Sequence, residues 1–428
     1  MENFILDLLR ASGADGWTVA DERRRGWEFY FIRHALDQNR VRDVEHITLT
    51  VYKKFSEGDR EFLGSASARL APTASRAEAE KLIARLLGEA GLIRNPFYKL
   101  NEPRGEAAPV AEAPDLRAIS GDFLRAMRSV EESEDADINS YEIFADCVTR
   151  RFLSSTGIDV TDVYPASMTE VVVNARRAGH EIELYRMYRS GSCDAAGLKA
   201  NVEETLRFGR DKLRAEKTPA LGKCDVVFST DDALQIYDYF VDRMAAAMVY
   251  QKISDCEIGK PVCENASGDP LTIRALRRLD NSSHNGAYDD EGAPMRDLTI
   301  IENGVARSFF GSRMFSQYLG LQDSFIPGNI AVDGGGASAA ELRTGRYLEI
   351  VEFSDFQVDS ACGDIAGEIR LGYLHDGDTL TVVEGGSVSG TMRELAGTMR
   401  FSRERRQYNH YLIPAVTRLF GVSITGAE

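Results

Sequence analysis

The chain has 428 residues, 43% of them hydrophobic and 28% charged, and carries a net charge of −16. That length accommodates two or three domains with a sizeable core. The acidic balance argues against direct nucleic-acid binding, which draws most of its affinity from basic groups on phosphates, and no apolar run reaches the roughly 18 residues of a membrane span.

The first residues, Met1-Glu2-Asn3-Phe4, open with an acid, and Asp7 and Arg10 interrupt the apolar stretch after them. No signal peptide is read there, so a cytoplasmic location is expected. The cysteines, Cys147, Cys193, Cys224, Cys256, Cys263 and Cys362, form no Cys-x-x-Cys pair and are expected to be reduced. Cys256 and Cys263 read as two loop thiols.

Phe4, Ile5, Leu8 and Leu9 recur at helical spacing, and Gly13 marks a stop. Strands are expected at 28–32, 46–52 and 62–67, where aromatic and β-branched residues gather. Arg23-Arg24-Arg25, followed by Gly26-Trp27, reads as a solvated turn between strands, and Arg403-Glu404-Arg405-Arg406 reads the same way. Ser75 and Glu78 form a capping-box pattern ahead of Leu82, Ile83, Leu86 and Leu87, with Gly91 ending the helix. Three prolines make 101–115 a linker or long surface loop. A helix beginning near Asp115 carries Leu116, Ile119, Phe123, Leu124 and Met127.

Strands are expected at 141–153, 169–175 and 180–188, followed by a long helix from about Ala196 to Glu216. A buried strand, Cys224–Ser229, leads through the acidic turn Thr230-Asp231-Asp232 into one helix running through Leu234, Phe240, Met244 and Met248. Beyond a polar stretch, strands alternate with turns at Asp289-Asp290-Glu291-Gly292, Asn303-Gly304, Pro327-Gly328-Asn329, Gly334-Gly335-Gly336, Gly363-Asp364 and Gly385–Gly390. Helices and strands segregated in this way indicate an α+β fold. The expected segments are an α+β unit over 1–100, a linker over 101–115, a second α+β unit over 116–220 and a β-rich domain over 221–428.

In order and spacing, the turns of the C-terminal half resemble those of the TldD/PmbA family, a group linked to peptide cleavage. The resemblance implies an N-terminal mixed α/β half with antiparallel strands and flanking helices, and a C-terminal antiparallel β-rich domain. In zinc-bearing members, it implies ligand histidines on the helix after the first strand of the C-terminal half, in a His-Glu-x-x-x-His motif, and a cysteine ligand near the C-terminus. Here that helix reads Asp231-Asp232-Ala233-Leu234-Gln235-Ile236-Tyr237-Asp238-Tyr239-Phe240, without histidine, and no cysteine follows Cys362. The PmbA-like branch, which lacks the motif, is the nearer match, so no metal or other cofactor is expected. The expected function is that of a partner or scaffold subunit enclosing unfolded peptides for proteolysis or peptide maturation. Its partner is a second copy or a TldD-like metal-bearing chain.

Two other functions are compatible with parts of the sequence. A self-sufficient metallopeptidase with a non-standard site would draw on His180, Glu181 and Glu291. His180-Glu181 imitates the start of the zinc motif, but Tyr185 stands where the second histidine belongs, and strand alternation sends the two side chains to opposite faces. The Asp289–Gly292 loop reads more simply as a turn whose carboxylates cap backbone N–H groups, with Gly292 at positive φ. An acidic module acting on a DNA topoisomerase rests on the resemblance, since some family members carry names tied to DNA gyrase, and on the net charge of −16, which could imitate a nucleic acid. His34, His46, His284, His375 and His410 are scattered beside predicted turns, Gly386–Gly390 lacks the spacing of a nucleophile elbow, and Cys362 sits in an acidic loop that disfavours a thiolate.

Overall fold

The computed structural model describes residues 3–427, so Met1 and Glu2, the acidic opening of the chain, and Glu428 lie outside the described residues. Helix α1 (Asn3–Ala11) precedes three long strands, β1 (Gly16–Ile32), β2 (Ala35–Glu57) and β3 (Arg60–Leu70). Then come α2 (Arg76–Ala90) and α3 (Leu116–Arg128), strands β4 (Ala136–Ser154), β5 (Asp159–Arg177) and β6 (His180–Ser190), and α4 (Ala195–Lys212). All six strands pair antiparallel in one sheet of order β3-β2-β1-β4-β5-β6. Strands from 1–100 and from 116–220 therefore share a single sheet.

Local chemistry fixes the helix ends. The Ser75 hydroxyl accepts from the Glu78 N–H and the Glu78 carboxylate accepts from the Ser75 N–H, completing the capping box. Asp115 accepts from the N–H groups of Arg117 and Ala118 at the start of α3. Ile119, Phe123 and Met127 then bury one face of α3 against the sheet.

The arginine cluster corrects the expected turn. Arg23, Arg24 and Arg25 lie within β1, which is paired on both sides, to β2 and to β4. Arg23 forks onto both oxygens of Asp43 on β2 at 2.7 Å, and Arg24 binds Glu22 at 2.8 Å. Such cross-strand pairing lets a charged run stay extended. Gly26 comes next because a Cβ there would sit 2.0 Å from the Asp146 carboxylate on β4.

The second half opens with β7 (Glu216–Lys217), β8 (Gly222–Phe228), α5 (Leu234–Arg243) and α6 (Ala246–Tyr250). The single helix expected here is broken at Ala245, whose ψ of 133° is extended. The Ala246 N–H instead donates to the Phe310 carbonyl at 2.7 Å. Next are β9 (Ile273–Leu276), β10 (Leu298–Glu302), β11 (Val305–Ala306), α7 (Arg313–Tyr318), β12 (Asn329–Val332), β13 (Tyr347–Val358), β14 (Asp364–Asp376), β15 (Thr379–Glu384) and β16 (Ser387–Thr391). The chain closes with α8 (Met392–Leu395), β17 (Arg400–Phe401), β18 (Arg405–Tyr408), β19 (Tyr411–Pro414) and β20 (Thr417–Thr425). The segment Arg403–Arg406 is thus a second correction, because its last two residues enter β18 and Arg406 is half-buried.

One sheet of this half runs β11-β10-β9-β12-β19-β18, and the other runs β13-β8-β20-β16-β14-β15-β7. An additional β13–β14 pairing closes β13, β8, β20, β16 and β14 into a ring. Most pairs are antiparallel, with parallel pairs at β8–β13, β12–β19 and β7–β15. Val226, Phe228, Ile236, Tyr237, Leu348 and Leu419 fill the core between ring and helix. The architecture is α+β, with 21% helix and 44% strand. Among the described residues no helix is long and apolar enough to cross a membrane.

The halves meet at the Asp289–Gly292 turn. Asp289 accepts from the N–H groups of Glu291, Ala293 and Ile326, and Gly292 has φ +72°. From the first half, Arg150 bonds Asp290 at 2.7 Å, and Asp162 accepts from the N–H groups of Ala287 and Tyr288. The 101–115 loop packs here too, the Ala108 N–H donating to the Tyr288 hydroxyl at 2.6 Å.

Candidate functional site

A cavity of about 740 Å³ lies between the halves. Strand alternation builds one wall, because Phe144 and Asp146 on β4, Tyr164, Ala166 and Met168 on β5, and Met187 and Arg189 on β6 fall on one face of the sheet, while Arg186 and Tyr188 reach the cavity from the other face of the edge strand β6. Helix α4 adds Asn201, Glu204, Thr205 and Phe208, spaced to share its inward face. The second half supplies Thr230, Asp231 and Leu234 at the start of α5, Ser283 and His284 from a loop, and residues 406–410 from the β18–β19 hairpin.

Arg406 divides this cavity from a neighbouring one of about 700 Å³. Its guanidinium donates to Asn201 Oδ1 at 2.6 Å and to Glu204 at 3.0 Å, and stacks over the Tyr408 ring at 5.2 Å. The second cavity is lined in part by Arg343, which forks onto Glu349 at 2.7 and 2.9 Å, and by His375.

The lining is cationic in an acidic protein. Arg24, Arg42, Arg186, Arg189 and Arg406 face it, against the carboxylates of Asp146, Glu204 and Asp231. His284 and His410, far apart in the sequence, stack within it with ring centroids 4.2 Å apart. Burial pushes the His410 imidazole down to about 4, helped by His284 and Arg189, and burial with Arg24 lowers His284 as well. Both rings are therefore neutral at pH 7. His410 Nδ1 is buried and has no hydrogen-bond partner.

Helix α5 begins at the cavity rim and then turns into the core. Ile236, Tyr237 and Phe240 are buried, and the Tyr237 hydroxyl shares a 2.7 Å hydrogen bond with that of Thr417. Asp232 and Asp238 are each pushed up to about 6, chiefly by burial. Asp232 accepts from Thr230 and Asp238 from the Tyr411 hydroxyl. A structural or catalytic zinc needs three or four nitrogen, sulfur or oxygen ligands converging on one point. Among the described residues no group of three or more His, Cys, Asp or Glu side chains is placed to hold a metal, and no cysteine lines the cavity. The residues present do not fit the zinc of the metal-bearing relatives.

The residues that a non-standard metal site would need are not assembled. His180 and Glu181 are exposed at the β5–β6 turn, where Glu181 pairs with Arg176 at 3.0 Å and accepts from Asn174 at 2.6 Å. Glu291 lies at the domain junction, accepting from the Arg313 N–H at 2.6 Å, and burial pushes it up to about 7. No hydrogen bond or ion pair among the described residues links it to His180 or Glu181. Spacing along the chain gives no sign of the clustered arginines or of the His284–His410 pair, because strand pairing and loop packing bring them together.

Residues 221–426 match the model of the PmbA/TldA metallopeptidase C-terminal domain. No curated protein matches the sequence significantly. Among solved structures, TldE from Thermococcus kodakarensis is similar over 99% of this chain and 100% of its own, at 13% identity and TM-score 0.73. A Thermotoga maritima protein described as a candidate modulator of DNA gyrase shares 16% identity over 99% of this chain and 98% of its own, with TM-score 0.73. A Bacteroides thetaiotaomicron protein described in the same terms shares 17% identity over 99% and 97%, with TM-score 0.77. At these identities the structural likeness speaks for the fold. The domain match thus places residues 221–426 with the PmbA/TldA C-terminal domains, and the whole chain shares the fold of these structures.

Proposed function

We propose that this chain is a metal-free, PmbA-like subunit that encloses unfolded peptides, working with a second copy or with a metal-bearing TldD-like chain. One observation carries the reading. The cavity beside α5 is large, while the helix on which the resemblance places zinc ligands carries carboxylates, apolar groups, tyrosines and the buried Arg243, but no imidazole or thiol. A volume of about 740 Å³ is of the size that holds a small ligand or a few residues of peptide. Its mixed polar and aromatic lining suits a chain recognised largely through its backbone. The chain itself cuts nothing on this reading, because no zinc-bound water is formed and activated.

The test is binding without cleavage. A fluorescein-labelled unstructured peptide is titrated with the purified chain, and its polarisation and mass are followed. Saturable binding with the peptide intact is expected, with cleavage only after a metal-bearing relative is added. Cleavage by the chain alone, stopped by a chelator, overturns the proposal.

A further inference from the structure

The cationic lining calls for an anionic group on whatever the cavity holds. Two of the lining carboxylates are already paired, Asp146 with Arg42 at 2.8 Å and Glu204 with Arg406 at 3.0 Å. Arg24 is held by Glu22 at 2.8 Å, and Arg186 approaches Glu352 at 3.6 Å. Arg189 differs from all of these. It is exposed to the cavity and forms no hydrogen bond or ion pair among the described residues.

Arg189, His284 and His410 line the same cavity, and the charge of Arg189 disfavours protonation of both imidazoles. A neutral imidazole offers one N–H donor and one lone pair, and His410 leaves a ring nitrogen unpartnered. An unpaired guanidinium beside neutral rings is unsuited to a cation, which the arginines repel. It is suited to a planar anion, which the guanidinium grips through two parallel N–H bonds while an imidazole N–H adds a third. An enclosed peptide supplies such an anion as its C-terminal carboxylate or as an acidic side chain.

Resting on the peptide-enclosing reading, we infer that Arg189, together with His284 and His410, binds a carboxylate of the enclosed peptide and so sets how far the peptide runs into the cavity. The test uses one labelled unstructured peptide in three forms: free C-terminal acid, C-terminal amide without acidic residues, and amide with one internal glutamate. The free acid is expected to bind about 10-fold more tightly than the plain amide, in line with a charge-assisted pair. Arg189→Ala removes that difference by weakening the free acid to the level of the plain amide measured with the same variant. An internal glutamate that restores tight binding assigns the site to acidic side chains, and one that does not assigns it to the C-terminus. Equal affinity for acid and amide, or a difference that survives Arg189→Ala, overturns the inference and leaves the peptide-enclosing reading standing.

If none of the three peptides binds, that reading falls, and the carboxylate site is decided separately by NMR. N-acetylglycine should then move the ring resonances of His284 and His410 while N-acetylglycinamide does not. No movement with either probe overturns the site as well.

Discussion

The hydroxyl of Tyr411 donates to the carboxylate of Asp238, tying the β18–β19 hairpin to the helix on which zinc-bearing relatives are expected to carry their ligands. The same hairpin places His410 against His284 and Arg406 against Glu204. One bond from α5 thus fixes the element that completes the cavity.

Tyr411→Phe removes the donor and leaves a partly buried carboxylate with one fewer partner. The expected loss is about 1–3 kcal/mol of unfolding free energy. The bond favours the ionised form of Asp238, whose value burial still holds up at about 6 with the bond in place. The loss should therefore be larger at pH 8, where Asp238 is charged, than at pH 5. Denaturant melts at the two pH values measure this, and a pH-independent loss would contradict it.

Glu291 gives a second pH signature. Its folded value of about 7 lies above the ordinary glutamate value of 4.5, chiefly through burial. The fold therefore binds the proton more tightly than the unfolded chain does, and Glu291 lowers stability as pH rises from about 4.5 to 7. Glu291→Gln keeps an acceptor for the Arg313 N–H and removes the charge. Its advantage over the wild type should grow through that window to the order of 2–3 kcal/mol and then level off. Chemical denaturation from pH 4 to 8 reads the curve, and a constant offset would show that Glu291 does not titrate there.

Two glycines with similar φ separate strain from crowding. Gly292 (φ +72°) would place a Cβ 2.6 Å from the Phe152 ring, whereas Gly304 (φ +76°) has no atom within 4 Å of that position. Gly304→Ala should cost about 1 kcal/mol, the penalty of a left-handed backbone. Gly292→Ala should cost about 2–4 kcal/mol, since the turn that joins the halves must also shift. Thermal melts of the two variants should rank them in that order, and equal costs would mean that Phe152 yields freely.

Features set by neighbouring residues are legible directly in the sequence. The Ser75–Glu78 box, the Asp115 cap and the Asp289–Gly292 turn all appear where the chain signals them. Features set by distant partners are not. Arg23–Arg25 reads as a turn because the neighbours that keep it extended, Asp43 and the β4 backbone, are remote in sequence. The helix after Asp231 reads as continuous because the Phe310 carbonyl that captures Ala246 comes from another loop. For the site, the lack of histidine on α5 is visible residue by residue, whereas the His284–His410 stack and the unpaired Arg189 exist only once the halves pack. Loop packing of that kind leaves no periodic trace.

The measurement closest to the central claim is the zinc content of the purified chain, determined by elemental analysis after dialysis against metal-free buffer. The account predicts far less than one equivalent, because α5 offers no imidazole and, among the described residues, no third ligand joins His284 and His410. About one tightly held zinc per chain would contradict it, since retention of that kind requires a built set of ligands.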